Sequence, residues 1–294
     1  MFYRRKIILA LLQLLGGELE KIRIQKLLFL YSQKKIKSEY DFIPYKYGCY
    51  SYSAKADLVT MVNKGILMLN DNIYIKNNPT DFIKVLKLED KKILEEIVKL
   101  YGKMSNNSLI KHTYINYPYY ATKSQITENI LDAEQLLKVN NHKMQTNETI
   151  LFTIGYEGIS LENYLNKLVR NDVKLLVDVR KNSLSMKFGF SKSLLKKYCE
   201  NLGINYIHIP EVGINSDQRQ ELNSQKDYDE LFEKYKKTTL VETNSYQGTI
   251  IDLLKKHGRI ALTCFEADVC QCHRKPLAEA IAKFPTFDYK VKHL

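Results

Sequence analysis

No stretch of the 294-residue chain reaches the roughly 18 consecutive apolar residues of a membrane-spanning helix. The opening MFYRRKIILALLQLL is charged and briefly apolar, but it runs into Gly16, Gly17 and Glu18 without a small-residue cleavage site, which argues against a secretion signal. A disulfide framework is lacking as well. The cysteines number five, and Cys264, Cys270 and Cys272 lie close together while Cys49 and Cys199 stand apart. That usage fits a cytoplasmic protein with one thiol-rich site. Acidic residues are short: 33 Asp and Glu face 45 Lys and Arg, a net charge of +12. Such an excess favours a polyanionic partner, nucleic acid before membrane, although a low-GC genome inflates lysine counts on its own.

With 45% hydrophobic and 27% charged residues the chain can bury a real core, and its length suits one or two domains. The polar stretch 139–149, VNNHKMQTNET, separates helical patterning from the β-like TILFTIGY, so a linker is expected there between residues 1–138 and 150–294. Residues 1–145 hold 23 Lys and Arg against 14 Asp and Glu, net +9, which leaves +3 for the remainder. The basic excess belongs to the N-terminal half.

In that half, Ile7, Leu11, Leu14 and Leu15 recur at helical spacing, as do Ile24, Leu27, Leu28 and Tyr31, with Gly16-Gly17 as the break. A third helix is expected over 53–64, followed by a hairpin around Asn70-Asp71-Asn72 and a helix over 87–101. Helices followed by a β-hairpin outline a winged-helix-like α+β domain. Lys34, Lys35, Lys37, Lys46 and Lys55 would contact phosphates of a duplex. The segment KHTYINYPYYATK, with Tyr114, Tyr117, Tyr119 and Tyr120, suits stacking on unpaired bases or packing between domains. A protein-protein or homodimer interface is the competing use of this module.

The C-terminal half alternates. Apolar runs at 150–154, 175–179, 206–209 and 260–264 read as buried parallel strands, and 161–169, 192–202, 246–256 and 275–282 as helices. The expected fold is an open, mostly parallel, doubly wound α/β sheet with its site at the carboxyl ends of the strands. After the first strand come Tyr156 and Glu157; after the second, Asp178 and Arg180; after the third, His208 and Glu211; after the fourth, Cys264, Glu266, Cys272, His273 and Arg274. Asp178, Arg180, His208, Glu266 and Cys272 should therefore converge in one cleft.

The chemistry of each residue leaves alternatives. Cys272 precedes a helix start, where the terminus and neighbouring cations favour thiolate and a nucleophilic role, whereas a buried cysteine would only pack. Arg274 suits two-pronged binding of a phosphate or carboxylate. Asp178 and Arg180 can pair with each other or bind substrate separately. His208 and Glu157 are acid/base candidates. No metal is expected: Cys264, Cys270, Cys272 and His273 lack the C-x2-C spacing of structural zinc sites. Nor does a C-x5-R phosphatase loop occur, since Cys270 stands six residues after Cys264 and Ala278 six after Cys272.

The run TIGYEG, LLVDVR, KFGFSK, YIHIPEVG and LTCFEADVCQCHR resembles the bacterial family called domain of unknown function 488, over about residues 150–285. The resemblance implies a compact α/β domain in which Tyr156, Glu157, Asp178, Arg180, Lys187, His208, Cys264, Glu266, Cys272, His273 and Arg274 match the family's polar positions. Cys270 is an addition, and Gly-Tyr-Glu stands where other members have Gly-His-Ser. The expectation is a cytoplasmic enzyme, a hydrolase or transferase acting on nucleic acid or a nucleotide, with Glu157, Asp178, His208 and Cys272 catalytic. Tyr156, Arg180, Lys187, Glu266, His273 and Arg274 would bind substrate, with no cofactor. The alternative is a noncatalytic DNA-binding regulator whose α/β domain senses a small anion.

Overall fold

A computed structural model describes residues 1–144, 146–215, 218, 222 and 224–294. The chain divides into two compact units, Met1–Lys143 and Met144–Leu294. Of the stretch 139–149, residues 139 and 140 end a helix and Gln145 lies outside the described residues. No helix among the described residues is long and apolar enough to cross a membrane.

The N-terminal unit runs α1 (Tyr3–Leu14), β1 (Glu18–Glu20), α2 (Lys21–Gln33), β2 (Ile43–Tyr45), β3 (Gly48–Tyr50), α3 (Tyr52–Asn63), β4 (Leu67–Asn70), β5 (Ile73–Lys76), α4 (Leu88–Tyr101), α5 (Asn106–Asn116), α6 (Thr127–Ile130) and α7 (Ala133–Asn140). The helical spacing of Ile7, Leu11, Ile24, Leu27 and Leu28 buries one continuous core. Gly16 and Gly17, both at positive φ, turn the chain from α1 into β1. Strands β1, β5 and β4 form an antiparallel sheet in that order, with Asp71 at φ 49° in the β4–β5 turn, while β2 and β3 pair separately.

Two sequence expectations fail here. Lys35 is not presented to solvent: it is paired with the buried Asp90, which also accepts from the Tyr3 and Tyr31 hydroxyls at 2.6 Å each. Lys34 is engaged by Glu96 at 2.6 Å. In the tyrosine-rich segment, three of the four rings named above pack inward. Tyr114 is buried, and the rings of Tyr117 and Tyr120 meet Phe29 edge-on at 4.9 and 4.6 Å. Interleaved with lysines in sequence, these rings face their own core because α5 and the turn after it fold back on α2.

The C-terminal unit runs β6 (Ile150–Gly155), α8 (Leu161–Arg170), β7 (Leu175–Asp178), α9 (Lys192–Glu200), β8 (Asn205–His208), α10 (Gln225–Lys237), α11 (Thr239–Glu242), α12 (Asn244–His257), β9 (Arg259–Cys264), α13 (Arg274–Ala282) and β10 (Lys290–His293). All five strands are parallel, in the order β10-β6-β9-β7-β8. Leu151, Val177, Ile260 and Leu262 pack with Phe232, Leu240, Ile250 and Leu277 from the helices α10 to α13. Their neighbours face the other way, where the Tyr164 hydroxyl of α8 donates to Thr263 at 2.8 Å. The sheet is thus covered on both faces. The connection leaving β9 runs to β10 and the one leaving β7 runs to β8, so they diverge between β9 and β7, which is where an open α/β sheet leaves a crevice.

The Asp90 cluster yields a pH prediction. Burial pushes the Asp90 carboxyl up, but hydrogen bonds from Lys35, Tyr3 and Tyr31 outweigh it and hold the pKa below the ordinary carboxylate value. The stability it contributes is therefore present above about pH 4 and is lost as pH falls through the lower folded value. Asp90→Asn should cost about 3 kcal/mol at neutral pH. Urea midpoints measured from pH 7 to pH 3 should fall less steeply in this variant than in the parent.

Candidate functional site at the strand ends

The carboxyl ends of β6, β7 and β9 are drawn together by backbone and side-chain bonds. The amides of Tyr156 and Glu157 both donate to the Phe265 carbonyl, at 3.0 and 2.8 Å, so the loops after β6 and β9 run side by side. Gly155 makes this approach feasible: a Cβ there would collide with the Glu266 carbonyl and press on Arg274. Glu157 fastens the same pair of loops by accepting from the Ala267 amide at 3.0 Å.

Asp178 and Arg180 are buried and form an ion pair, with Arg180 Nη2 2.5 Å from Asp178 Oδ2 and Nε 2.8 Å from Oδ1. Arg180 Nη1 donates to the Tyr156 hydroxyl at 2.8 Å and to the Phe190 carbonyl at 2.9 Å. Asp178 accepts further from the Tyr206 hydroxyl at 2.6 Å. Burial works against the Arg180 charge, and Asp178 more than offsets it, raising the pKa further above the ordinary value. Of the alternatives open in the sequence, the two residues pair.

His208 lies beside them. Its Nε2 is 2.9 Å from the Arg180 carbonyl and its Nδ1 3.0 Å from Lys192 Nζ, so each ring nitrogen has a protein partner. Lys187 donates to the Tyr156 carbonyl at 2.5 Å, and partial burial lowers its pKa, with Glu157 offsetting only part of the shift. Tyr156 stacks on Phe190 with centroids 4.2 Å apart, and Phe265 meets it edge-on at 5.3 Å.

From the other side of β9, His273 Nε2 reaches the Val179 carbonyl at 3.1 Å while its Nδ1 faces two sulfurs, Cys264 at 3.5 Å and Cys272 at 4.0 Å. Glu266 Oε2 is 3.2 Å from Cys264 Sγ. Among the described residues, Cys264, Cys272 and His273 are the group whose donor atoms fall within 4.8 Å of one another, an arrangement suited to a metal ion. Their linear spacing had argued against it.

A cavity of about 220 Å³ opens at this edge, lined by Tyr156, Arg180, Lys181, Asn182, Phe265 and His273 among others. Residues 160–281 match the family model described as Domain of unknown function DUF488. The C-terminal unit is a DUF488 domain. A comparison with curated proteins returned no match.

Two expectations for the DUF488 unit are corrected. Cys272 is fully buried, and burial, reinforced by Cys264 and Glu266, pushes its thiol well above the ordinary value, so it is not the exposed thiolate expected of a helix-terminal nucleophile. Arg274 is 1% exposed and is no open anion clamp. Its Nη1 donates to the Glu266 carbonyl at 2.5 Å and its Nη2 to the Ala267 carbonyl at 2.9 Å, which pins the loop after β9. The sequence reading also missed Tyr206, Phe190, Lys181 and Phe265. Phe190 was visible within KFGFSK; Tyr206 carried only strand periodicity as a signal.

Removing one member of the buried pair tests its structural weight. Asp178→Asn leaves Arg180 charged and without its carboxylate, at a cost of about 3–5 kcal/mol. Urea unfolding followed by circular dichroism should show a clearly lowered midpoint. An unchanged midpoint would mean that the pair does not organise the strand ends.

Proposed function

We propose that the DUF488 unit is an enzyme acting on a phosphate-bearing substrate, a nucleotide or nucleic acid, held in the strand-end cavity. The observation that carries this reading is the cavity's lining, a cation beside aromatic rings: Lys181 is exposed, and Phe265, 43% exposed, stands edge-on to Tyr156. Lysine attracts phosphate as a point charge, and an exposed ring offers a base a stacking face. The volume suits one phosphate with part of its nucleoside, the remainder lying outside. Arg180, neutralised by Asp178, positions Tyr156 and contributes direction more than charge. Glu157, an exposed carboxylate on the loop after β6 with one oxygen held by the Ala267 amide, is our acid/base candidate because the polar atoms of Asp178 and His208 are taken by protein partners.

The N-terminal unit supports a delivery role. Its order helix, strand, helix, helix, strand, strand, with the sheet running β1-β5-β4, supports a winged-helix-like reading in which the β2–β3 hairpin is an insertion. Lys37, Lys46 and Lys55 remain exposed for phosphate contact. One observation favours the rival reading of a noncatalytic, DNA-binding sensor of a small anion: Asp178 and His208 are each occupied on both polar atoms by protein partners. That reading gives binding without turnover.

Calorimetric titration with a nucleoside monophosphate and with inorganic phosphate separates the elements of the site. Lys181→Ala should weaken both ligands about tenfold, near 1.4 kcal/mol. Phe265→Ala should weaken the nucleotide by about 1–3 kcal/mol and leave phosphate unchanged. Equal loss of both ligands in Phe265→Ala would remove the base-stacking element of the proposal. For the N-terminal unit, DNA affinity of the full chain should fall steeply with added salt, and Lys46→Ala with Lys55→Ala should shallow the slope by about one to two. Absence of any DNA binding at ~50 mM salt would favour a protein partner instead.

A further inference from the structure

We propose that Cys264, Cys272 and His273 form a binding site for a zinc-class divalent cation, with its fourth coordination position turned toward the strand-end cavity. The proposal goes beyond the nucleotide reading and does not depend on it.

Geometry is the first support. A tetrahedral zinc ion with Zn–S near 2.3 Å and Zn–N near 2.0–2.1 Å sets sulfur and nitrogen about 3.6 Å apart. The two sulfur-to-Nδ1 distances here are 3.5 and 4.0 Å, and all three donor atoms lie within 4.8 Å of one another. The two sulfur-to-nitrogen spacings need only a few tenths of an ångström of adjustment, and the sulfur-to-sulfur spacing at most about 1 Å, to close on an ion.

The orientation of the imidazole is an independent support. A carbonyl oxygen only accepts, so the contact of His273 Nε2 with the Val179 carbonyl at 3.1 Å places the ring proton on Nε2. That leaves the Nδ1 lone pair facing the sulfurs. Metal-bound histidines are held in this way, with the distal N–H given to a carbonyl or carboxylate that fixes the tautomer.

The third support is the construction around the donors. Cys264 is the last residue of β9, and Cys272 and His273 immediately precede α13. The loop between them would set the three donors at random were it loose, but Arg274 holds its carbonyls at Glu266 and Ala267, and Gly155 lets it lie against β6. Arg274 is thus a positioning residue for the site. Cys272 and His273 are at most 1% exposed and Cys264 is 2% exposed, which suits thiolates shielded from water and oxidants.

The ligand class follows from the donors. Two thiolates and an imidazole select zinc or a neighbouring soft transition ion over magnesium or calcium, which take oxygen ligands. Three protein ligands with a remaining open position characterise catalytic rather than structural zinc sites. Of the three, Cys264 and His273 line the cavity, as do Arg180 and Lys181. The open position therefore faces this cavity, and it would be filled by water or a ligand oxygen. The exposed Cys270, 3.5 Å from Lys275 Nζ, stays outside the set.

Mass-spectrometric metal analysis of the full chain, purified without added metal or chelator, tests the site without any nucleotide. About one zinc per chain is expected. Cys272→Ser and His273→Ala should reduce this at least tenfold, while Cys270→Ser and Cys199→Ser retain it. Because substitutions in a buried set can impair folding, the unmutated chain provides a second measurement. After chelation, one equivalent of cobalt should produce the visible bands of a tetrahedral ion together with thiolate-to-cobalt charge transfer in the near ultraviolet. A folded parent chain that neither carries zinc nor gives the cobalt spectrum overturns the proposal. So does a Cys264–Cys272 disulfide in freshly purified protein, which would make the pair a redox element, or loss of the metal in Cys270→Ser, which would place it elsewhere. Nucleotide binding to a metal-free protein would leave the cavity reading intact, so the two proposals can fail separately.

Discussion

Three consecutive residues after Val177 bind the strand ends of the DUF488 unit into one object. Asp178 and Arg180 form the buried pair, Arg180 reaches Tyr156 and Phe190, and Asp178 takes the Tyr206 hydroxyl. The carbonyl of Val179 meets His273 and that of Arg180 meets His208. Groups from the loop after β6, from β8 and from the loop preceding α13 all terminate on this segment at the end of β7. A buried ion pair is weak evidence for net stability, since apolar residues of similar volume often do as well. What it supplies here is geometry, because a carboxylate bonded on both oxygens and a guanidinium with all three nitrogens engaged admit few alternative arrangements. The same engagement removes both residues from easy service as catalyst or anion clamp. The cavity's available charge then falls to Lys181.

Much of the C-terminal architecture was legible in the sequence because parallel strands buried on both faces read as short continuous apolar runs. The runs at 150–154, 175–179, 206–209 and 260–264 correspond to β6, β7, β8 and β9 within a residue or two. Strand β10, KVKH, was invisible: an edge strand with alternating lysines has no apolar run to show. Helix α10 was missed for a related reason. Its sequence QKDYDELFEKYKK buries only Phe232 and Tyr235, and charge dominates the pattern.

At the site, residue identity was legible and residue role was not. The strand-end rule brought Tyr156, Asp178, Arg180, Cys264 and His273 to one edge, but whether a charged group faces a ligand or a protein partner depends on contacts far away in sequence. Arg274 shows the difficulty. A guanidinium at the start of a helix reads as an anion site, yet here it spans back to two carbonyls of the preceding loop and is sealed from solvent. Tyr117 and Tyr120 show it in the other unit, where aromatic rings among lysines turn inward onto Phe29. In each case local sequence gives the chemistry of the side chain, and tertiary packing decides its direction.

The three donors near β9 extend the point to motif spacing. The C-x2-C rule describes knuckles in which a tight turn alone sets two sulfurs around an ion. An open α/β sheet has another way to gather ligands, because its strand ends and the helix starts that follow them converge whatever the length of the intervening loop. Cys264 and the Cys272-His273 pair are separated by a loop too long for a knuckle, and they meet because β9 delivers one while α13 begins with the other. Their alignment then depends on the shape of that loop, which Arg274, Gly155 and Glu157 hold from three directions. A spacing test does not register donors gathered in this way. The buried arginine and the cramped glycine are the sequence's marks of the constraint, and both stand beside the cysteines rather than between them.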